Sequence, residues 1–159
     1  MVSAYQIAAS VPDPELPMVT VADLGILRDV RQDGDTVTVV ITPTYSGCPA
    51  LREIGADLRR RLARAGYQRV DVRVELAPAW TTDWITAEGR RKLAAAGIAP
   101  PGIVPASGRG APVLVPLAVR CPNCGSADTS LLARFSATAC KALYRCRACL
   151  EPFEHVKEF

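Results

Sequence analysis

Four of the six cysteines form two C-x-x-C pairs in the last forty residues of the chain. Cys121 and Cys124 make the first pair, and Cys146 and Cys149 make the second, with 21 residues between the pairs. Each pair places two thiolates on one tight turn, and a tetrahedral metal ion can join the two turns. The spacing therefore predicts a zinc-ribbon-like site, although a rubredoxin-like iron site or an iron–sulfur cluster uses the same four thiolates.

Cys48 is a second candidate for chemistry. It lies between the β-branched run Thr36–Ile41 and a segment with leucine and isoleucine at helical spacing, residues 51–65. Pro49 suits the first position of that helix. Cys48 would then sit beside a helix N-terminus, where free N–H groups and the positive end of the dipole stabilise a thiolate. A small buried core cysteine is the alternative interpretation.

The remaining cysteine and the single histidine give weaker signals. Cys140 lies between the two C-x-x-C pairs, where it is an additional ligand, a partner for Cys48 or, most simply, a buried cysteine. His155 follows Pro152-Phe153-Glu154, and we interpret it as a packed or exposed histidine and not as a ligand.

Two carboxylates precede Cys48 on a stiff loop. Asp13 and Glu15 alternate with prolines in the segment Val11–Pro17, and this number of prolines excludes a regular helix or strand. Solvated turn carboxylates are the usual case in such a loop, so the loop alone is a weak indication of function.

The elements that must position these residues follow from periodicity. A short helix at residues 3–9 precedes a strand within residues 19–30, a hairpin at Asp33-Gly34-Asp35, and a strand at residues 36–42. The helix after Cys48 and an alternating strand at residues 69–76 follow, and a helix at residues 87–96 completes the series. We predict an α+β protein, with a small two-layer domain of order α-β-β-α-β-α and a C-terminal zinc ribbon.

Composition sets the domain limits and the environment. The 159 residues predict a domain at 1–98, a linker rich in proline and glycine at 99–116, and a four-cysteine domain at 117–159. A net charge of +3 without a basic block gives no support for nucleic-acid binding. No apolar run reaches membrane-spanning length, so we expect a cytoplasmic protein with reduced thiols, which favours metal over disulfides.

Together these motifs resemble two known families. Residues 3–96, with Asp13-Pro14-Glu15, Asp23-Leu24-Gly25 and Thr42–Pro49, resemble the SufT-like, MIP18-type family of iron–sulfur cluster assembly factors. With the two C-x-x-C pairs added, nearly the whole chain is similar to the PaaD family of accessory proteins of the phenylacetyl-CoA ring epoxidase in aerobic phenylacetate breakdown. In the Ser-Gly-Cys-Pro motif this chain has Ser46 to Pro49, preceded by Tyr45 where many relatives have leucine.

The resemblance implies an accessory role beside the reductase and the di-iron oxygenase subunits. Consistent with that role, the sequence carries no Glu-x-x-His pattern, no glycine-rich nucleotide fingerprint and no plant-type cysteine spacing. The family pattern implies functional positions at Cys48, Asp13, Glu15, Thr42, Thr44 and Ser46.

Two functions stay open at this point, neither of which requires catalysis by the chain itself. In the first, Cys48 transiently ligates iron or an iron–sulfur cluster bound for the reductase or the oxygenase subunit. A single Cys48 needs further ligands from a homodimer, from a partner subunit or from Cys140. In the second, the protein is a structural or electron-transfer component of the oxygenase complex. A thiol enzyme is the weakest alternative, since no general base pairs evidently with Cys48.

Overall fold

The computed structural model describes residues 2–102 and 118–158. The chain forms two compact units that divide at Arg90 and Arg91. Residues 103–117, which make up most of the linker expected at 99–116, lie outside the described residues.

The first unit has the predicted order of helices and strands. Its elements are α1 (Ala4–Ala9), β1 (Leu27–Asp33), β2 (Thr36–Ile41), α2 (Ala50–Arg64) and β3 (Arg69–Val74), followed by a 3-10 turn (Thr82–Trp84) and α3 (Ala87–Ala95), within which the division between the units falls. The strands form one sheet in the order β1-β2-β3, with an antiparallel first pair and a parallel second pair. The α+β class and the predicted sequence of elements are confirmed.

The core of the first unit lies between the sheet and α2. The side chains of Val37, Val39 and Ile41 on β2 are buried, and Ile54 and Leu58 are buried on the facing helix. The alternation of buried side chains on β2 and their helical spacing on α2 are the two periods that the sequence displays. This core holds the end of β2 and the start of α2 in fixed positions, and the connection between them carries Cys48.

The second unit is a small four-stranded sheet. Its strands are β4 (Ile98–Ala99), β5 (Thr129–Ala133), β6 (Lys141–Cys146) and β7 (Pro152–Val156), in the order β4-β7-β6-β5. The pair β4–β7 is parallel, and the pairs β5–β6 and β6–β7 are antiparallel. Its core contains Ala99, Cys121, Cys146 and Phe153. Such a small apolar core agrees with a unit that needs a metal ion for much of its stability.

The helices of the first unit are shorter than the thickness of a lipid bilayer. None of the helices in residues 2–102 and 118–158 is both long enough and apolar enough to cross a membrane.

Candidate metal centre and Cys48 site

The four cysteines of the two C-x-x-C pairs converge in the second unit. Their sulfur atoms, on Cys121, Cys124, Cys146 and Cys149, all lie within 4.8 Å of one another. The Sγ atoms of Cys121 and Cys149 are 3.7 Å apart, and those of Cys124 and Cys146 are 3.5 Å apart. A tetrahedral ion with metal–sulfur bonds of about 2.3 Å separates its sulfur ligands by about 3.8 Å. The spacing of the sulfur atoms therefore fits a single metal ion.

Local backbone turns present these thiols. In the first pair the N–H of Gly125 donates to the carbonyl oxygen of Cys121 at 2.9 Å, and Gly125 has a left-handed φ of 74°. In the second pair the N–H of Cys149 points at the Sγ of Cys146, 3.5 Å away, and Leu150 takes the left-handed φ of 67°. The chain therefore reverses after the first pair at a glycine, and the second turn achieves the same reversal without a glycine.

The electrostatics of the four thiols also favour a bound cation. The N–H of Cys149 is the largest influence on Cys146, and it lowers the pKa of that thiol to about 7. The N–H of Glu151 works in the same direction on Cys149, but burial and the three neighbouring thiols raise the pKa of Cys149 to about 12. Four thiolates so close together repel one another unless a positive ion lies between them. A divalent metal ion would allow all four to be ionised.

Two other candidate residues lie outside this cluster. Cys140 is buried, and its sulfur is 3.1 Å from the hydroxyl of Thr138. His155 is also buried, with its Nδ1 3.2 Å from the carbonyl oxygen of Ala99 and its ring packed edge-on against Tyr144. In the described parts of the chain, the group of close potential ligands contains neither residue. The interpretation of His155 as packed, and not a ligand, agrees with this placement.

Cys48 lies half-buried on the loop between β2 and α2. The helix begins at Ala50, with Pro49 as the residue before it, one position later than the sequence suggested. The sulfur of Cys48 interacts with the N–H of Ala50 and with the side chain of Thr44. The expected position of Cys48 beside a helix N-terminus is therefore observed.

The acidity of Cys48 differs from the sequence-based expectation. Burial is the largest influence on its pKa, which is raised above the ordinary cysteine value. Hydrogen bonds from Ala50 and Thr44 lower it, while the negative charges of Glu15 and Asp13 add to the effect of burial. The prediction of a stabilised thiolate was wrong, because desolvation and two nearby carboxylates outweigh the helix end.

The charges of Asp13 and Glu15 act on the Cys48 thiol, so the fold holds the proline-rich loop within electrostatic range of Cys48. Asp13 is buried, and its Oδ1 accepts hydrogen bonds from the backbone N–H groups of Glu15 and Leu16, each at 2.8 Å. Asp13 thereby fixes the turn on which Glu15 is carried.

The other positions implied by the family pattern differ in accessibility. Thr42 is buried at the end of β2, where its N–H donates to the carbonyl oxygen of Ile26 at 2.9 Å, while Ser46 is exposed on the loop. The structure thus places the Thr44 side chain at the sulfur of Cys48 and the charges of Asp13 and Glu15 within electrostatic range of it, and Thr42 is buried at the end of β2.

Asp23, whose side chain was not among the predicted site residues, forms a reciprocal pair of hydrogen bonds with Thr20. Its Oδ2 accepts from the N–H of Thr20 at 3.0 Å, and its own N–H donates to the Thr20 hydroxyl at 3.1 Å. The Thr-x-x-Asp spacing at residues 20–23 is the sequence signature of such a reciprocal pair. This pair shapes the turn that ends at Gly25.

Comparisons with known proteins agree with this division of the chain. Residues 9–76 match the family model described as iron–sulfur cluster assembly protein, and residues 111–157 match the PaaD zinc beta ribbon domain. The chain is 43% identical over 153 residues to a putative 1,2-phenylacetyl-CoA epoxidase subunit of Escherichia coli K12, covering 96% of this chain and 90% of that protein.

Two solved structures are similar to part of the chain. A domain of unknown function DUF59 from Bacillus anthracis matches with a TM-score of 0.53 and 27% identity, covering 57% of this chain and 87% of that one. A conserved hypothetical protein from Thermotoga maritima, 28% identical, matches with a TM-score of 0.48 and covers 57% of this chain and 89% of its own. The first match supports the α+β architecture.

Proposed function

The chain belongs to the PaaD family, and we propose that it is an accessory protein of the phenylacetyl-CoA epoxidase system that helps to mature or deliver iron or iron–sulfur centres. Similarity to the Escherichia coli epoxidase protein over most of both chains supports the role in that system. The match of residues 9–76 to an iron–sulfur cluster assembly model supports the more specific role in maturation.

The observation that carries the proposal is the environment of Cys48. Its sulfur is half-buried beside Glu15 and Asp13, and its pKa is raised, so at neutral pH the side chain is a protonated thiol. Binding of iron then replaces the proton: the S–H bond breaks, a sulfur–iron bond forms, and the proton leaves to solvent. Because the thiol holds its proton firmly, the proton competes with iron for the sulfur. Cys48 is therefore a weak and reversible ligand.

A transient cargo also needs more ligands than the described residues group around Cys48. Within residues 2–102 and 118–158, the four cysteines of the second unit form the one group of three or more close cysteine, histidine or carboxylate ligands. We therefore infer that the client, the reductase or the oxygenase subunit, supplies the remaining ligands during transfer. The charge of Glu15, on its stiff loop, acts on the Cys48 thiol, and we infer that this carboxylate would contact that client.

We assign zinc to the four-cysteine site. Two C-x-x-C turns around a small core are typical of structural zinc, and zinc undergoes no redox change. The match to a zinc beta ribbon model supports this assignment. The ion would hold the two C-x-x-C turns together, and the second unit would serve as a rigid docking element for the client.

The test is metal and sulfide analysis of protein purified without oxygen. Wild type, Cys48→Ser and the control Cys140→Ser should each contain about one zinc per chain. After incubation with ferrous iron, sulfide and an excess of glutathione, whose thiol stands in for the ligands of the client, we expect wild type and the control to gain iron and a visible absorption band, and Cys48→Ser to gain neither. If Cys48→Ser loads iron as well as wild type does and also supports ring epoxidation, Cys48 is not the carrier.

A second function is favoured by the sulfur geometry itself. Iron–thiolate bonds also suit four sulfurs at this spacing, and an iron-loaded ribbon would carry single electrons within the oxygenase complex. The same preparation distinguishes the two functions, since about one iron per chain with a reversible reduction would favour electron transfer. Zinc at that site would exclude electron transfer through the ribbon and favour the maturation role.

A further inference from the structure

The strand β3 is an open edge of the first sheet. It pairs with β2 on one side, and no strand among the described residues pairs with its other side. Two apolar side chains at its end are largely accessible, Val74 at 49% and Leu76 at 58%. An open edge of this kind offers unpaired backbone groups to another strand.

The backbone groups that face outwards can be identified from the existing ladder. The N–H of Arg69 donates to the carbonyl oxygen of Asp35 at 3.2 Å. The N–H of Glu75 donates to the carbonyl oxygen of Ile41 at 2.9 Å. In a strand the direction of these groups alternates from one residue to the next. The N–H and C=O groups of Val70, Val72 and Val74 therefore point away from β2, towards the open edge.

The exposed face of this edge carries alternating charges. Arg69, Asp71, Arg73 and Glu75 are all exposed, and their signs alternate along the strand. The Nε of Arg73 lies 2.7 Å from the Oδ2 of Asp71, so the two side chains share one face. Val72 projects to the opposite face, where its Cγ1 lies 3.9 Å from the position that a Cβ on Gly55 would occupy. Charges of a single sign would repel a second copy of this edge, but alternating charges are complementary to themselves when the strand direction is reversed.

We propose that two copies of this chain pair antiparallel through β3, about a twofold axis at Val72. Val72 then lies opposite Val72 of the second copy, and Val70 lies opposite Val74. These are the residues whose backbone groups point outwards, so each pair exchanges hydrogen bonds. On the other face Asp71 meets Arg73 of the second copy, and Arg69 meets Glu75.

Neighbouring registers are disfavoured by charge. A shift that opposes Asp71 with Asp71 also opposes Arg69 with Arg73, and the opposite shift brings Arg73 against Arg73 and Asp71 against Glu75. Like charges directly across two strands destabilise the pairing. Intermediate registers would oppose residues whose backbone groups already bond to β2. The register centred on Val72 combines outward backbone groups with a full set of opposite-charge pairs.

The other edge of the sheet is less suited to pairing. The β1–β2 ladder is interrupted by a bulge between Leu27 and Asp29, and bulges twist an edge away from a flat partner. The guanidinium of Arg28 also lies over the ring of Trp84, 3.6 Å from its centre. We therefore assign the dimer to β3.

The arrangement has a consequence for Cys48. Thr42 follows the end of β2 beside Glu75, so the loops that carry the two Cys48 residues leave at opposite ends of the paired strands. Six residues separate these ends, or about 20 Å along the strands. Strand pairing keeps one Cys48 site per copy, which favours further ligands from a client over a second Cys48. The dimer itself does not depend on the proposed maturation role.

The test is the dissociation constant of the full-length, metal-loaded protein, measured by sedimentation equilibrium. A strand-edge interface is small, so we expect a micromolar dimer. Arg73→Asp and Asp71→Arg each convert two symmetric attractive pairs into repulsive ones and should weaken the dimer at least about tenfold. The double variant Asp71→Arg/Arg73→Asp restores opposite charges in the same register and should restore dimerisation.

Matched controls lie on β1, where Arg31 and Asp29 form an equivalent exposed pair at 2.6 Å. Arg31→Asp and Asp29→Arg should leave the dissociation constant unchanged. Hydrogen exchange provides an independent readout, because the amides of Val70, Val72 and Val74 should become protected as protein concentration rises. A wild type that stays monomeric at about 100 μM, far above a micromolar constant, overturns the proposal. The proposal is also overturned if the β1 variants weaken the dimer, or if the double variant does not recover the dissociation constant of the wild type.

Discussion

The indole Nε1 of Trp80 donates a buried hydrogen bond of 2.8 Å to the carbonyl oxygen of Leu24, 56 residues earlier in the chain. Close by, a Cβ placed on Gly25 would lie 2.5 Å from the Cβ of Trp84, and Gly25 has a left-handed φ of 69°. The segment after β3 is thus held tightly over the turn shaped by Asp23. Local sequence patterns give no sign of this contact.

Removal of that hydrogen bond should destabilise the first unit. We expect Trp80→Phe to lower the free energy of unfolding by about 1–3 kcal/mol, since a buried hydrogen bond is lost while an aromatic ring remains. Urea unfolding followed by circular dichroism measures this change. Trp84→Phe is the matched control, because it keeps a ring beside Arg28 and should cost less than about 1 kcal/mol. Equal losses in the two variants would contradict the assigned role of the Trp80 hydrogen bond.

Loss of one sulfur ligand should unfold the second unit. We expect Cys124→Ser to reduce the metal content from about one ion per chain to a small fraction of that value, and to expose the chain after Arg91 to protease. Elemental analysis and limited proteolysis measure the two effects. Cys140→Ser, in the same unit but outside the sulfur cluster, should retain the metal and the resistance to protease. A fully metallated Cys124→Ser would show that three thiolates suffice.

Alkylation of Cys48 should report its raised pKa. In a Cys140→Ser background with metal bound, we expect slow reaction with iodoacetamide at neutral pH and a rate that rises only above the ordinary cysteine pKa. Glu15→Gln removes a negative charge, lowers the pKa of Cys48 and should speed the reaction at pH 8. The control Glu53→Gln removes a charge on the first turn of α2 that is not among the main influences on this thiol. A profile unaffected by Glu15→Gln would contradict the position of that carboxylate.

The ion pair between Lys141 and Glu154 should make the second unit sensitive to acid. The Nζ of the buried Lys141 lies 2.7 Å from Glu154, which also accepts a hydrogen bond from Ser136. Burial acts to raise the pKa of Glu154, but these two donors outweigh it and hold the pKa below the ordinary value. Because the pKa of Glu154 is lower in the folded protein, the ion pair stabilises the fold at pH values above the pKa of the unfolded chain, about 4.3. This stabilisation is lost as the pH falls below that pKa and towards the pKa of the folded protein.

Neutralisation of Glu154 tests the same pair at neutral pH. Glu154→Gln leaves a buried lysine without its counter-charge and should cost about 3 kcal/mol at pH 7. The exposed Glu151→Gln is the control and should cost less than about 0.5 kcal/mol. Thermal unfolding of the metal-loaded protein at pH 7 and pH 4 measures both variants. We expect the difference between Glu154→Gln and wild type to shrink at pH 4.

Local sequence patterns were sufficient to predict several features of this protein. Hydrophobic periods of two and of 3.6 residues predicted β2, β3 and the helices of the first unit to within a few residues, since each period records which face of an element is buried. The first strand was placed less well, because β1 begins only at Leu27 and ends at Asp33. The two C-x-x-C pairs likewise identified Cys121, Cys124, Cys146 and Cys149, because turn geometry relates their spacing directly to a shared metal ion.

Features that depend on contacts between distant segments could be recognised only in the folded chain. The acidity of Cys48 is one case: the helix end is readable from the sequence, but desolvation and the approach of Glu15 arise only once the loop and α2 pack together. The strand β4 is another, because Ile98 and Ala99 join a sheet whose other strands begin 30 residues later, at Thr129. Such short elements carry too little pattern of their own, and long-range pairing stabilises them.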